Sequence, residues 1–365
     1  MHIVIFGLTI SSSWGNGHAT LWRALLKALA KLGHTASFYE HNVSWYADNR
    51  DQWTAPQGIA LRLYSSMDEI RTQARRDLDS ADVGMFTSYC PDGPEAADLI
   101  LNSRAAIKCF YDLDTPVTLS SLRSGEPVEY LPTNGLADFD LVLSYTGGRA
   151  LTELQSRLGA RTVAPLYGSV DPEAHSPVEP LERYRGLLSY LGTFAADRQQ
   201  ALENLFLEPA RRLHDQTFQL AGAQYPNSFS SLPNIIFVPH LPPYLHPAFF
   251  CSSRATLNIT RAVMAQYGYC PSGRLFEAAA CGVPIVSDGW DGLDMFFTPG
   301  EEILRVDTAD DVIGALSLPD SDLLRIARAA RERTLANHTA ERRVMEWEDI
   351  CDRVTDHVQA AGESA

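Results

Sequence analysis

Long apolar runs are missing from this 365-residue sequence. None approaches the roughly 20 residues needed to cross a bilayer, so no membrane span is expected. No basic, apolar and small-residue leader is expected either, since the sequence opens on the apolar stretch His2 to Phe6. A cytoplasmic location is therefore expected. Cysteine is scarce. The six, at 90, 109, 251, 270, 281 and 351, form no C-x-x-C pair, which argues against a disulfide framework or a structural zinc site of that kind. Positive charge is in short supply: 30 Lys and Arg face 45 Asp and Glu, a net charge of −15. A surface of that sign argues against nucleic acid and anionic membrane as main partners. An anionic ligand must then be held by a local cluster of arginines and helix ends. No internal repeat or low-complexity tract occurs. What is present, 45% apolar and 21% charged residues over this length, suits two globular domains with full cores.

The order of elements is legible from the amino end. His2 to Gly7 reads as a buried parallel strand ending in glycine, and Leu8 to Gly17 as a Ser- and Gly-rich loop. Leu21, Leu25, Leu26 and Leu29 then recur at helical spacing until Gly33 stops the helix. Ala36 to Tyr39 is the next strand, and this strand–loop–helix–strand order opens a Rossmann-like domain. Strands at 82–87, 106–111, 140–144 and 162–166 follow, with helices at 94–102 and 149–158. Residues 42–58, rich in Trp and polar groups, are less regular and can cap an active-site cleft. Prolines 172, 177 and 180 punctuate a linker between Tyr167 and Arg185. A second strand series then runs at 186–191, 217–220, 235–238, 255–259, 283–286 and 303–306. Its helices follow Asp197, Ser272, Ala309 and Asp320. The expected architecture is α/β, with two Rossmann-like domains, 1–170 and 186–340, facing a cleft that holds the ligand. An amphipathic stretch, Glu341 to Ala360, lies in the last segment, 341–365.

The stretch from Tyr267 to Asp288 is the most informative. Pro271 and Ser272 open a helix, with Ser272 a preferred N-cap residue, and Gly282 sits where a left-handed C-terminal residue belongs. Pro284 prevents the helix from continuing, and Val283 to Val286 suits a parallel strand covered on both faces. Ser272 and Gly273 place free N–H groups and about half a positive charge at the helix start, which suits phosphate. Arg274 in the first turn adds a second cation. Glu277, three residues on, is on the same face and can reach hydroxyls beside that phosphate. Diphosphate at one end and ribose further along describe a nucleotide diphosphate. The plainer reading is a helix–strand unit of any doubly wound protein, with Arg274 and Glu277 a surface pair.

Arg274-Leu-Phe-Glu-Ala-Ala-Ala-Cys-Gly-Val-Pro-Ile-Val-Ser-Asp288 resembles the donor-binding helix and following strand of GT-B glycosyltransferases, closest to the CgeB-like bacterial group. The resemblance implies the two-domain cleft fold, with 341–365 crossing back as a terminal helix onto the first domain. It implies a nucleotide-diphosphate sugar as co-substrate, UDP being the default, with Glu277 on the ribose. The acceptor, a saccharide, lipid or small molecule, falls to the first domain. No further cofactor and no metal are implied. Many retaining members carry a second glutamate eight residues earlier, where this chain has Tyr269.

Other candidates lie at expected strand ends. Ser11-Ser-Ser-Trp-Gly-Asn-Gly-His18 follows the first strand, with Trp14, Gly15, Asn16 and Gly17 as acceptor or sugar contacts. An acceptor hydroxyl needs a base near neutral pKa, and histidine suits that task. Inverting GT-B enzymes place a histidine in this loop, which suggests the role for His18; capping its helix or hydrogen-bonding substrate are the alternatives. Asp112-Leu-Asp114 has three readings: a helix cap at Asp114 before Pro116, a carboxylate orienting His18, or a short metal-binding D-x-D pattern. Gly192, Thr193 and Arg198 repeat the strand–glycine–loop logic in the second half and suit the donor diphosphate. His240 sits in the loop expected at the nucleobase, Arg261 is a weaker phosphate candidate, and Trp290 and Asp291 can meet the donor sugar. The function expected is a metal-independent glycosyltransferase. A sugar-nucleotide 2-epimerase and a non-catalytic nucleotide-sugar-binding protein are the rivals. No pattern sets the subunit number.

Overall fold

A computed structural model describes residues 1–226 and 232–363. The chain forms two compact units, Met1–Tyr167 together with the chain from Ala340 on, and Gly168–Thr339. The first unit contains strands β1 (His2–Gly7), β2 (Thr35–His41), β3 (Ile59–Tyr64), β4 (Val83–Thr87), β5 (Ile107–Asp112), β6 (Leu141–Ser144) and β7 (Val163–Pro165). They form one parallel sheet in the order β3-β2-β1-β4-β5-β6-β7. Ile3, Val4, Ile5 and Phe6 are wholly buried, as a strand covered on both faces requires.

Helix His18–Lys31 lays Leu21, Trp22, Leu25 and Leu29 on that sheet. The terminal helix, Ala340–Glu363, adds Val344, Trp347, Ile350 and Val354 to the same core, so it belongs to the first unit. Trp347 has no exposed surface, and truncating so large a side chain costs about 3–5 kcal/mol. Strand β3 and helix Met67–Asp79 have no counterpart in the sequence reading. The helix is strongly charged, and only Met67, Ile70, Ala74 and Leu78 are buried along it. Residues 42–58 contribute a single short helix, Ser44–Ala47.

The second unit carries β8 (Gly186–Leu191), β9 (Phe218–Ala221), β10 (Ile235–Val238), β11 (Ser253–Asn258), β12 (Ile285–Ser287) and β13 (Leu304–Arg305). Its sheet is parallel in the order β10-β9-β8-β11-β12-β13. Residues 199–212 are helical, with a π turn at Glu203–Leu207 just before Pro209. A wider turn accommodates a residue that has no N–H to give. In both sheets the strand order reverses beside the first strand of the unit, between β1 and β4 and between β8 and β11. Ligands of such sheets sit at the carboxyl ends of the strands beside that reversal. Among the described residues no helix is long and apolar enough to cross a membrane.

Candidate functional site

In the second unit the reversal point is lined by cations. Helix Gly273–Ala280 starts after Ser272, whose extended backbone occupies the N-cap position. Its hydroxyl makes no capping bond, contrary to the expectation that it would. The helix end is therefore left with backbone donors rather than a side-chain cap, and Ser272, Gly273 and Arg274 are all partly exposed. Gly282 has φ +72°, the left-handed stop read from the sequence. Arg274 Nη1 donates to Asn258 Oδ1 at 2.9 Å, and its guanidinium lies 5.3 Å from the centre of the Tyr190 ring. Burial lowers the Arg274 pKa, which strengthens its demand for an anion. Arg198 Nη1 donates to the Tyr190 hydroxyl at 3.0 Å and to the Thr193 carbonyl at 3.2 Å. The Nε of each arginine is buried without a protein partner.

Gly192, at the end of β8, explains how close these groups come. A methyl there would lie 2.9 Å from a guanidinium nitrogen of both Arg198 and Arg274. No side chain fits, so two cations face a bare backbone. Arg261 is not part of the cluster, because its Nε donates to both carboxylate oxygens of Asp197 at 3.2 Å. Glu277 does not pair with Arg274. Its Oε2 lies 3.8 Å from His246 Nδ1, and both side chains are mostly buried. His240 is half-exposed after β10. The histidine beside Glu277 is His246, a residue the sequence reading missed.

Tyr269, in the place of the second glutamate, adopts φ +48° and donates its N–H to the Asp291 carbonyl at 2.6 Å. Its ring lies against Gly292, where a Cβ would come within 2.4 Å. Asp291 is exposed, and Trp290 packs its ring 5.9 Å from Phe296. Packing thus accounts for part of the Trp290 environment.

In the first unit the same topological position is lined by carboxylates. His18 Nε2 is 2.7 Å from Asp114 Oδ2, with both side chains largely buried. Its other nitrogen, Nδ1, is buried without a protein partner. Asp114 stands at the N-cap of helix Thr115–Ser124, with proline in the first turn, but makes no capping bond; its carboxylate serves His18 instead. Asp112 is wholly buried and accepts the Asp114 N–H at 3.0 Å. Burial pushes its carboxyl up to about 7. The Tyr89 ring, after β4 and with φ +60°, lies edge-on to His18 at 6.0 Å.

Loop 8–17 owes its shape to Glu40, a residue the sequence reading passed over. This carboxylate is 1% exposed. It accepts the N–H groups of Ile10 and Ser11 at 2.8 and 3.0 Å and the Thr9 hydroxyl at 2.8 Å. The Ser11 hydroxyl donates to it as well. Asn16 donates to the carbonyls of Thr9 and Ser12 and accepts the His18 N–H at 2.9 Å. Asn16 therefore spends its carboxamide on the loop and on placing His18. Gly15 takes φ +61°, a conformation that favours glycine, whereas exposed Gly17 is in ordinary helical conformation. Trp14 packs edge-on against Trp45 at 4.6 Å. Arg23 joins Ile10 to Asp51, and Asp51 also accepts the Ser13 N–H at 2.8 Å. Residues 42–58 thus brace this loop.

Residues 198–349 match a protein family described as glycosyl transferase-like. No curated protein matches the chain by sequence. Among solved structures, the chain is similar to sucrose-phosphate synthase from Thermosynechococcus elongatus, with 14% identity and a TM-score of 0.68 over 100% of both chains. An α-glucosyltransferase solved with UDP-glucose and DNA containing an abasic site has 13% identity and a TM-score of 0.71, over 96% of this chain and 99% of that one. An Anabaena protein solved with UDP and glucose has 12% identity and a TM-score of 0.64, over 99% and 100%. The two parallel α/β units have the fold of the GT-B glycosyltransferases.

Proposed function

We propose that the protein transfers a sugar from a nucleotide-diphosphate donor to an acceptor hydroxyl, and that the donor is a UDP-sugar. The observation that carries this reading is the pair of guanidinium groups of Arg198 and Arg274 closing on Gly192 beside the partly exposed start of helix Gly273–Ala280. Diphosphate there meets two cations and the helix N–H groups, and Glu277, one turn on, accepts ribose hydroxyls. As the bond to the sugar breaks, charge builds on the leaving diphosphate. These preorganised donors stabilise it without a metal at the reacting bond. UDP is supported by the solved structures of similar fold that hold UDP or UDP-glucose, and the donor-helix sequence supports a place in the CgeB-like group.

In the first unit, His18 takes the acceptor proton. With Nε2–H donated to Asp114, the basic lone pair is on Nδ1, which is buried, so the acceptor must displace the packing over that atom to reach it. The carboxylate stabilises the imidazolium that forms. The acceptor is a saccharide, lipid or small molecule. No cofactor takes part in the transfer step. None of the six cysteines is in a disulfide, which supports a reducing, cytoplasmic setting.

Calorimetric titration of UDP into the protein and into Glu277→Ala tests the reading. The variant is expected to bind about 10- to 100-fold more weakly, as for loss of a hydrogen bond to a charged group. Unchanged affinity removes Glu277 from the ribose site.

A further inference from the structure

Three side chains able to bind a metal meet inside the second unit, apart from the arginine cluster. His175 lies in the turn where its own N–H bonds the Asp171 carbonyl at 2.9 Å. His246 opens helix His246–Cys251, and Glu277 is carried by helix Gly273–Ala280. One ligand atom from each lies within 4.8 Å of the other two.

The hydrogen bonds around the cluster leave each histidine with an unpartnered ring nitrogen. His246 Nε2 faces the Leu241 carbonyl at 3.2 Å, which puts the ring proton on Nε2 and the lone pair on Nδ1. That lone pair points its atom at Glu277 Oε2, 3.8 Å away, so two acceptors face each other. His175 adds an independent sign: the residue is 7% exposed, and both ring nitrogens are buried without a protein partner. Coordination would occupy one of them. A neutral imidazole held through its other N–H by a backbone carbonyl is the usual arrangement of a metal-ligating histidine. Two imidazoles and a carboxylate suit a zinc-class ion, whereas calcium and magnesium prefer oxygen ligands throughout.

We propose that His175, His246 and Glu277 bind one zinc-class divalent cation, with its fourth position open to solvent or ligand. The ion ties the Asp171 turn and the helix at His246 to the donor helix, and it holds the Glu277 carboxylate in one orientation. One carboxylate oxygen serves the ion, and the other remains for hydroxyls. It takes no part in bond breaking. The inference rests on the cluster itself and does not need the ribose assignment of Glu277.

The test uses the full chain, freed of any affinity tag and purified without chelator. Elemental analysis is expected to find about one equivalent of zinc. Adding zinc or cobalt to chelator-stripped protein should raise the melting temperature in proportion to the logarithm of metal concentration. Bound cobalt should show the visible absorption of a low-coordinate site. His175→Phe and the gentler His175→Gln should both lose the metal and the thermal response, with unchanged far-ultraviolet circular dichroism. Absence of metal together with no thermal response to zinc, cobalt or nickel overturns the proposal, as does equal metal content in both His175 variants. UDP added to stripped protein separates the two claims. A thermal rise there with no metal response sinks the cation and leaves the transferase reading standing. Metal binding without any response to UDP does the reverse.

Discussion

The two units repeat one topology and place opposite charges at its reversal point. After β1 and β5 the first unit gathers Glu40, Asp112 and Asp114 around a histidine-bearing loop. After β8 the second unit gathers Arg198 and Arg274 around a glycine. The scaffold sets where the loops converge, and the side chains decide what they hold. Buried carboxylates around a histidine suit proton transfer, while buried guanidinium groups suit phosphate. A chain of net charge −15 can therefore still hold an anion, because two of its arginines, Arg198 and Arg274, converge at one strand end.

The contrast breaks most visibly if the two sites are not separable. His18→Ala is expected to lower the transfer rate roughly 100- to 10,000-fold. Its affinity for UDP should stay that of the parent, measured by calorimetry. Equal loss of binding and rate would mean that the histidine belongs to the donor site. Arg274→Gln should do the opposite, weakening UDP binding about 10- to 100-fold at an unchanged melting temperature. A variant that binds UDP normally takes Arg274 out of the diphosphate site.

Two smaller effects concern the first unit alone. Glu40→Gln replaces a four-bond acceptor with a group that is half donor, so urea denaturation should show a loss of about 1–3 kcal/mol. No loss would show that loop 8–17 does not depend on that carboxylate. Asp112 has its carboxyl raised from 3.8 to about 7 by burial. The folded chain then holds a proton that the unfolded chain releases between those values. The contribution favours the fold below the lower value and is lost as pH rises through the upper one. Denaturation at a series of pH values should show a shallower decline over this window in Asp112→Asn. An unchanged slope assigns the pH dependence to other groups.

Helix Gly273–Ala280 was legible because punctuation marks both its ends: Pro271 before it, Gly282 and Pro284 after it. The alternation of strands with glycine-ended loops carried both sheets in the same way. Glu40 was not legible. It sits in Ala-Ser-Phe-Tyr-Glu-His of β2, where an acidic residue reads as a solvent-facing position; only the folded loop shows that four donors converge on it. His175 and His246 were hidden for a related reason. Seventy-one positions separate them along the chain, and no local spacing announces a meeting that tertiary packing creates. Helix Met67–Asp79 escaped because charged residues dominate it, and strand β3 because only Ile59 and Tyr64, at its two ends, are buried. Position 114 carried an ambiguous signal, since an aspartate before a proline-bearing helix is a good cap in principle. The nearby imidazole took that carboxylate instead.

A crystal structure with UDP bound is the most direct measurement. The account predicts diphosphate within hydrogen-bonding distance of the Gly273 and Arg274 backbone and of the Arg198 and Arg274 guanidinium groups, with ribose hydroxyls on Glu277. Diphosphate bound away from that helix end, with both arginines unchanged in their contacts, would contradict it.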